Sequence, residues 1–270
     1  MRNSKNLYLK ILLVSIIHPD FIRTLLFNSG SEPWLSLTMD FAMTLSHSIA
    51  LFLLISLHKG LSKWNLIWQV GLIYYGITYF QSSIEAVLFL KYMQNTMTDA
   101  QIYEMIYVGI INSVVMAIAS VLLFWKEREV QEMYQYPLGT NLKRIILLGF
   151  FYALVYVLFG GFVFKPLAGE HFQTYYGELQ IPDWLLPFQV LRGFLWAALA
   201  FWTASIISAN RRTAIWVITG IITIPFSSLL LPINEIMPAP IRLAHLVEVT
   251  SSMLVFGYVA GRVFTKPHKP

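Results

Sequence analysis

The feature that most constrains this chain is a series of apolar runs, each about 20 residues long, that recurs from residue 35 to residue 263. A helix of that length crosses the hydrocarbon of a bilayer. In lipid no water pairs with backbone N–H and C=O groups, so such runs are read as helices rather than open sheet. Seven are clear, at roughly 35–57, 65–90, 103–125, 145–164, 184–208, 213–231 and 241–263. Only 12% of the residues are charged, against about 25% in soluble domains, and no segment is polar enough to coat a soluble core. The expected fold class is all-α, a polytopic transmembrane helical bundle. Trp34, Trp64, Tyr103, Trp125 and Trp184 stand near span ends, as interfacial aromatic residues do.

The N-terminal stretch is less regular. Its apolar runs at 7–17 and 21–27 are interrupted by Lys10, His18, Pro19, Asp20 and Arg23. Residues 1–34 are read as a broken span or an interfacial segment, 35–264 as the bundle and 265–270 as a tail. The start imitates a signal peptide, but its apolar core is short. His18, Pro19 and Asp20 follow where small residues would mark a cleavage site, so it is read as retained.

Loop charge gives an orientation. Lys59, Lys63, Lys126, Arg128, Lys143, Arg144, Arg211, Arg212, Arg262, Lys266 and Lys269 fall on one set of connections. From residue 35 onward only Lys91, Lys165 and Arg242 fall on the other. Positive loops stay inside, which puts the C-terminus in the cytoplasm of a multi-pass cell-membrane protein. Arg2 and Lys5 also prefer the inside, a preference met only if 6–29 crosses, so the count leans to eight spans. The net charge of +5 then reflects topology and contact with the anionic lipid bilayer, not nucleic acid. With no cysteine, disulfides, thiolate metal sites and thiol nucleophiles are excluded. The longer connections are 126–142, expected as a solvated helix extension, and 165–183, expected as an outer loop. Phe80-Gln81 before Glu85 is echoed by Phe188-Gln189 before Arg192, but one such match does not establish an internal repeat.

Polar residues inside the spans are patterned. Asp40, Thr44, His47 and Ser48 fall on one helix face, as do Thr78, Gln81, Ser82 and Glu85. Gln189 and Arg192 share a face, and Arg242, His245 and Glu248 follow at three-residue spacing. With the inferred topology most of these ionisable groups gather in the outer half of the bundle, with His47 deeper. The expected binding site is Asp40, His47, Gln81, Glu85, Arg192, Arg242, His245 and Glu248. Intramembrane ionisable residues mark solute or proton pathways by default, so the first expectation is binding or transport of a small polar solute or a proton. The runner-up is a metal-dependent intramembrane enzyme. No cofactor is called for by motif, but His47, Glu85, His245 and Glu248 are ligand types for a divalent metal, with Asp40 in reserve. The third reading is a structural or partner subunit whose ion pairs fix helix packing. No HExxH, GxSxG, Walker or dinucleotide motif is present, and no catalytic residue is assigned.

The path Phe159-Gly160-Gly161, Tyr175-Tyr176-Gly177, Gln189, Arg192-Gly193, Trp196, Arg242, His245 and Glu248 resembles a group of uncharacterised bacterial polytopic membrane proteins. The resemblance covers roughly 145–264 and implies a bacterial inner-membrane setting, with no activity to carry over.

Overall fold

The structure is a computed structural model and describes residues 2–27, 32–89, 97–129, 138–177, 182–234 and 237–265. Lys91, Lys266 and Lys269, used in the loop-charge count, lie outside these residues, as does nearly all of the 265–270 tail. Twelve α-helices are formed by the described residues. They are α1 (Arg2–Ile16), α2 (Pro19–Phe27), α3 (Pro33–Ser56), α4 (Lys63–Tyr75), α5 (Gln81–Ala86), α6 (Asp99–Phe124), α7 (Leu138–Phe159), α8 (Lys165–Ala168), α9 (Glu170–Tyr176), α10 (Leu185–Ile206), α11 (Arg211–Ser228) and α12 (Ala239–Phe264). A π-helical turn at Gly76–Phe80 joins α4 to α5, and another at Gly160–Phe164 joins α7 to α8. No strand is present among the described residues, only one antiparallel bridge between His58 and Ile207.

Five helical stretches are long and apolar enough to cross a membrane: Pro33–Ser56, Asp99–Phe124, Gly139–Ala168, Leu185–Ile206 and Ala239–Phe264. Large apolar side chains face outward on them, including Leu122, Leu147 and Phe162. That is the expected outer surface of helices surrounded by hydrocarbon. The other two expected spans are helical but differ in kind. The first is split by the Gly76–Phe80 turn, and the second, α11, has 18 residues with Pro225 inside it.

Two connections depart from expectation. The chain after α6 does not extend the helix: Trp125 turns extended, its indole N–H donates to Leu61 O at 3.0 Å, and Lys63 sits over its ring. Residues 130–137 of that connection lie outside the described residues. The connection after Gly160–Phe164 is largely helical, as α8 and α9. Gly169 and Gly177 flank α9 at φ 54° and 56°, a left-handed backbone suited to glycine.

Helix approach is tightest between α7 and α10. A Cβ built on Gly193 would lie 2.5 Å from Gly149 O, so only glycine allows this backbone contact. The approach brings Tyr152 of α7 to face Arg192 of α10, with the guanidinium 5.9 Å from the ring centre. At one end of the bundle the connections 57–62, 125–129 and 207–210 are tied together. Lys59 N donates to Ile206 O at 3.0 Å and Ser208 N to Leu57 O at 2.6 Å. His58 Nε2–H donates to Lys126 O at 2.9 Å, while its Nδ1 accepts from the N–H groups of Gly60 and Leu61 at 3.1 and 3.0 Å.

Gly193→Ala is expected to destabilise the protein by about 1–3 kcal/mol through overpacking, read as a lower melting midpoint in detergent. A second expectation concerns His58. Its bonds require the neutral ring, and burial above all, with Arg128 nearby, lowers its pKa, although the Lys126 carbonyl opposes the shift. The unfolded chain therefore binds a proton more readily. The stability His58 supplies at neutral pH is lost as pH falls through its unfolded value, about 6.5, toward the lower folded value. Melting curves at pH 7.5 and 5 should diverge less for His58→Gln than for the native chain.

Candidate functional site

The eight side chains expected to form one site divide among three places. The charged centre is Arg192, 2% exposed on α10. Its Nη2 donates to Glu85 Oε2 at 2.8 Å and to Gln81 O at 3.2 Å, and its Nε donates to Gln81 Oε1 at 3.1 Å. Gln81 and Glu85 are one helical turn apart on α5, directly after the Gly76–Phe80 turn, so both reach the same guanidinium. Phe226 adds a second aromatic face, 5.8 Å from the guanidinium carbon. Glu85 is one-third exposed, so the pair runs from the interior to the surface.

A second chain continues this centre. Tyr152 and Tyr156 of α7 lie within the fields of Arg192, Glu85 and Glu248 together. On α12, His245 Nδ1 is 3.3 Å from Glu248 Oε2, and His245 Nε2 is 2.8 Å from the Tyr176 hydroxyl of α9. A carboxylate accepts only, so Nδ1 carries the hydrogen toward Glu248 and Nε2 accepts from Tyr176. Burial, helped by Tyr175 and the carboxylates Glu85 and Glu248, pushes the Tyr176 phenol above its ordinary range, which keeps it protonated as the donor. Phe164 stacks on the imidazole at 3.9 Å between ring centres and fixes its plane.

Beside Arg192 lie polar atoms with no partner. Gln189 sits three residues before Arg192 on α10 and is fully buried. Among the described residues neither its amide oxygen nor its amide nitrogen has a hydrogen-bond partner, and Gln81 Nε2 has none either. Buried amides left in this condition are uncommon in a network whose only role is packing.

His47 and Asp40 belong elsewhere, which corrects the single-site expectation. His47 is fully buried in α3. Its Nε2 is 3.0 Å from Pro225 O, an acceptor, so that nitrogen carries the hydrogen. Its Nδ1 accepts from the Tyr74 hydroxyl at 2.6 Å. Tyr74 in turn is 3.2 Å from His18 Nε2, and His18 Nδ1 accepts from Asp20 N at 3.2 Å. Asp20 Oδ2 accepts from Asn112 Nδ2 at 2.9 Å and from the Tyr79 hydroxyl at 3.3 Å. Asp40 is held by Thr24, near Asp20 and Arg23. The reason for the split is that α1 and α2 fold onto α3 and supply their own polar partners to its inner face.

Arg242 is also outside the Arg192 centre. Its Nη1 donates to Leu230 O at 3.1 Å and Leu231 O at 2.5 Å, just past the end of α11, where helix carbonyls have no partners of their own. The metal set His47, Glu85, His245 and Glu248 is likewise not assembled. Only His245 and Glu248 are in contact, and among the described residues no three His, Asp or Glu side chains come together as a metal site.

Tyr176, Tyr152, Tyr156, His18, Tyr74 and Tyr79 were not among the expected site residues. His18 and Asp20 carry a signal, as polar residues that interrupt an apolar stretch, whereas the tyrosines carry none. Comparison of the chain with family models, curated proteins and solved structures finds no match.

Arg192→Ala removes three hydrogen bonds and leaves Glu85 and Gln81 without their cation. It should cost about 3 kcal/mol, the low end for breaking a buried pair, because Glu85 reaches solvent. Arg192→Lys cannot reproduce the Nε contact with Gln81 and should fall between the two in a denaturant titration.

Proposed function

We propose that this is a multi-pass membrane protein that binds and moves a small polar solute or a proton through the Arg192 centre. Eight spans are favoured, with the C-terminus in the cytoplasm and the centre in the outer half. The basic connections gathered around His58 support that orientation, because Glu85, Tyr176 and His245 lie toward the other end of their helices.

The observation that carries the functional reading is the combination of a buried, ion-paired arginine with the partnerless amides of Gln189 and Gln81. A fixed packing network satisfies its polar atoms, whereas a binding site holds some in reserve for a ligand. The Tyr176–His245–Glu248 chain supplies a hydrogen-bonded route by which a proton passes between the α9 hydroxyl and the Glu248 carboxylate.

That same chain favours a second reading, a membrane enzyme with His245 as general base oriented by Glu248. The metal-dependent form of this reading draws less support, since His47 and Glu85 are engaged elsewhere.

The test uses purified protein in proteoliposomes. A panel of small polar solutes, graded by charge, is screened for a rise in melting midpoint, and proton flux is followed with an entrapped dye. The expected result is that one solute class stabilises the native chain and not Gln189→Leu, or that imposed pH gradients decay faster than in empty vesicles and Glu248→Gln abolishes the difference. No stabilisation by any solute, with decay equal to empty vesicles, would sink the reading.

A further inference from the structure

We infer that the chain consists of two copies of one four-helix unit, related by a two-fold pseudo-axis along the bundle, and that His47 and Arg192, one from the second long helix of each copy, are the side chains by which each copy grips the other. The first copy is α1 with α2, α3, α4 through α5, and α6. The second is α7 through α8, α10, α11 and α12.

The packing repeats. α4 lies chiefly on α6, as α11 lies chiefly on α12, and α1 and α2 lie on α3, as α7 lies on α10. α6 touches α3 and α1, and α12 correspondingly touches α10 and α7. Between the copies, α3 packs broadly on α11, and its counterpart α10 touches α4 and the turn after it more lightly, so the exchange of a two-fold is present in kind and unequal in extent.

The residues repeat in register. α6 and α12 each have 26 residues, with starts and ends 140 positions apart. The buried face of α6, Asn112, Ser113, Met116, Ala117, Ser120 and Val121, returns at the same displacement as Ser252, Met253, Phe256, Gly257, Ala260 and Gly261. α4 and α11 match at 148 positions. The cap Ser62 accepts from Asn65 N, and its counterpart Asn210 accepts from Thr213 N. Trp68 and Trp216 are both exposed at one site. A close helix contact recurs with its small residue exchanged: Gly71 faces Ala117 in the first copy and Thr219 faces Gly257 in the second. α3 and α10 open alike, on Trp34-Leu35 and Trp184-Leu185, and Asn6-Leu7 with Ile11-Leu12-Leu13 returns 135 positions on as Asn141-Leu142 with Ile146-Leu147-Leu148.

The interruptions repeat as well. Pro225 of α11 is the counterpart of Ile77, which lies in the Gly76–Phe80 turn, and that turn packs on α11. At this seam each copy reaches across. His47 of α3 donates to the Pro225 carbonyl at 3.0 Å, and Arg192 of α10 donates to the Gln81 carbonyl at 3.2 Å. The equivalent connections 57–62 and 207–210 meet in the His58–Ile207 bridge. Four passes per copy bring both copies to start at this same end. Lys10 of α1, bonded to Leu123 O near the end of α6, agrees with that.

The absence of native cysteine makes the test direct. Spin labels are placed on the full chain in one pair, Trp68→Cys with Tyr107→Cys, and in the counterpart pair, Trp216→Cys with Val247→Cys; all four positions are exposed. Duplication requires the two distance distributions to coincide, and modes separated by more than the label spread would overturn it. Independently, single cysteines at Asn3, Lys59 and Arg128 should label from one face of the membrane. Labelling of Asn3 from the opposite face would give the first copy an odd number of passes and also overturn the inference. Neither measurement uses a solute, so loss of the solute reading would leave the duplication standing, and the reverse.

Discussion

Within this apolar bundle every polar atom must find its partner in the protein, and the interrupted helices are where that demand concentrates. Serine and threonine hydroxyls meet it locally by bonding back along their own helices. Ser48 bonds to Thr44 O, Ser113 to Gly109 O, Thr203 to Leu199 O and Thr219 to Ile215 O. The Pro225 carbonyl lies in the last turn of α11, where carbonyls lack an onward N–H, and the Gln81 carbonyl directly follows the π turn; side chains from other helices bond to both. They are His47 and Arg192. Long-range contacts in the bundle interior are therefore anchored on backbone as much as on side chains, which ties helix position to helix irregularity.

The two networks solve the same problem with different chemistry. Next to His47 the partners are neutral and buried, the Asp20 carboxylate at the far end of the chain is partly exposed, and every ring nitrogen of His18 and His47 has an assignable role. Around Arg192 one partner is a carboxylate that reaches the surface, the other is the neutral Gln81, and among the described residues two glutamines retain unpaired amide atoms. Enclosure and complete pairing favour a fixed structure, whereas partial exposure and incomplete pairing favour exchange with something outside.

The helical class and the seven runs could be read from apolar patterning, because lipid-facing and core-facing positions are both apolar over a whole span. His245 with Glu248 is legible from their three-residue spacing, and Glu85 and Arg192 as members of one site, because a charge in an apolar run needs a partner; which partner each takes is not. Asp40 and His47 were misplaced because spacing gives a face along one helix but not which neighbour that face meets. Tyr176 was missed because nothing in the tyrosine-rich stretch before Gly177 announces a helix folded back onto His245. The internal repeat was missed because its signal lies in burial positions and small-residue contacts, with few identical residues. The Phe-Gln echo that did catch the eye pairs α4–α5 with α10, which are not counterparts.

The π turn at Gly76–Phe80 has a consequence for how such a chain tolerates change. A π turn amounts to one residue inserted into an α-helix, and one residue turns everything beyond it by about 100°. Gln81 and Glu85 face Arg192 only with that extra residue in place. Loss of a single codon within these five positions would leave α5 with its composition and nearly its length. It would nevertheless swing both side chains away from the guanidinium, so reading-frame-preserving deletions here bear on site geometry far more than on hydrophobicity.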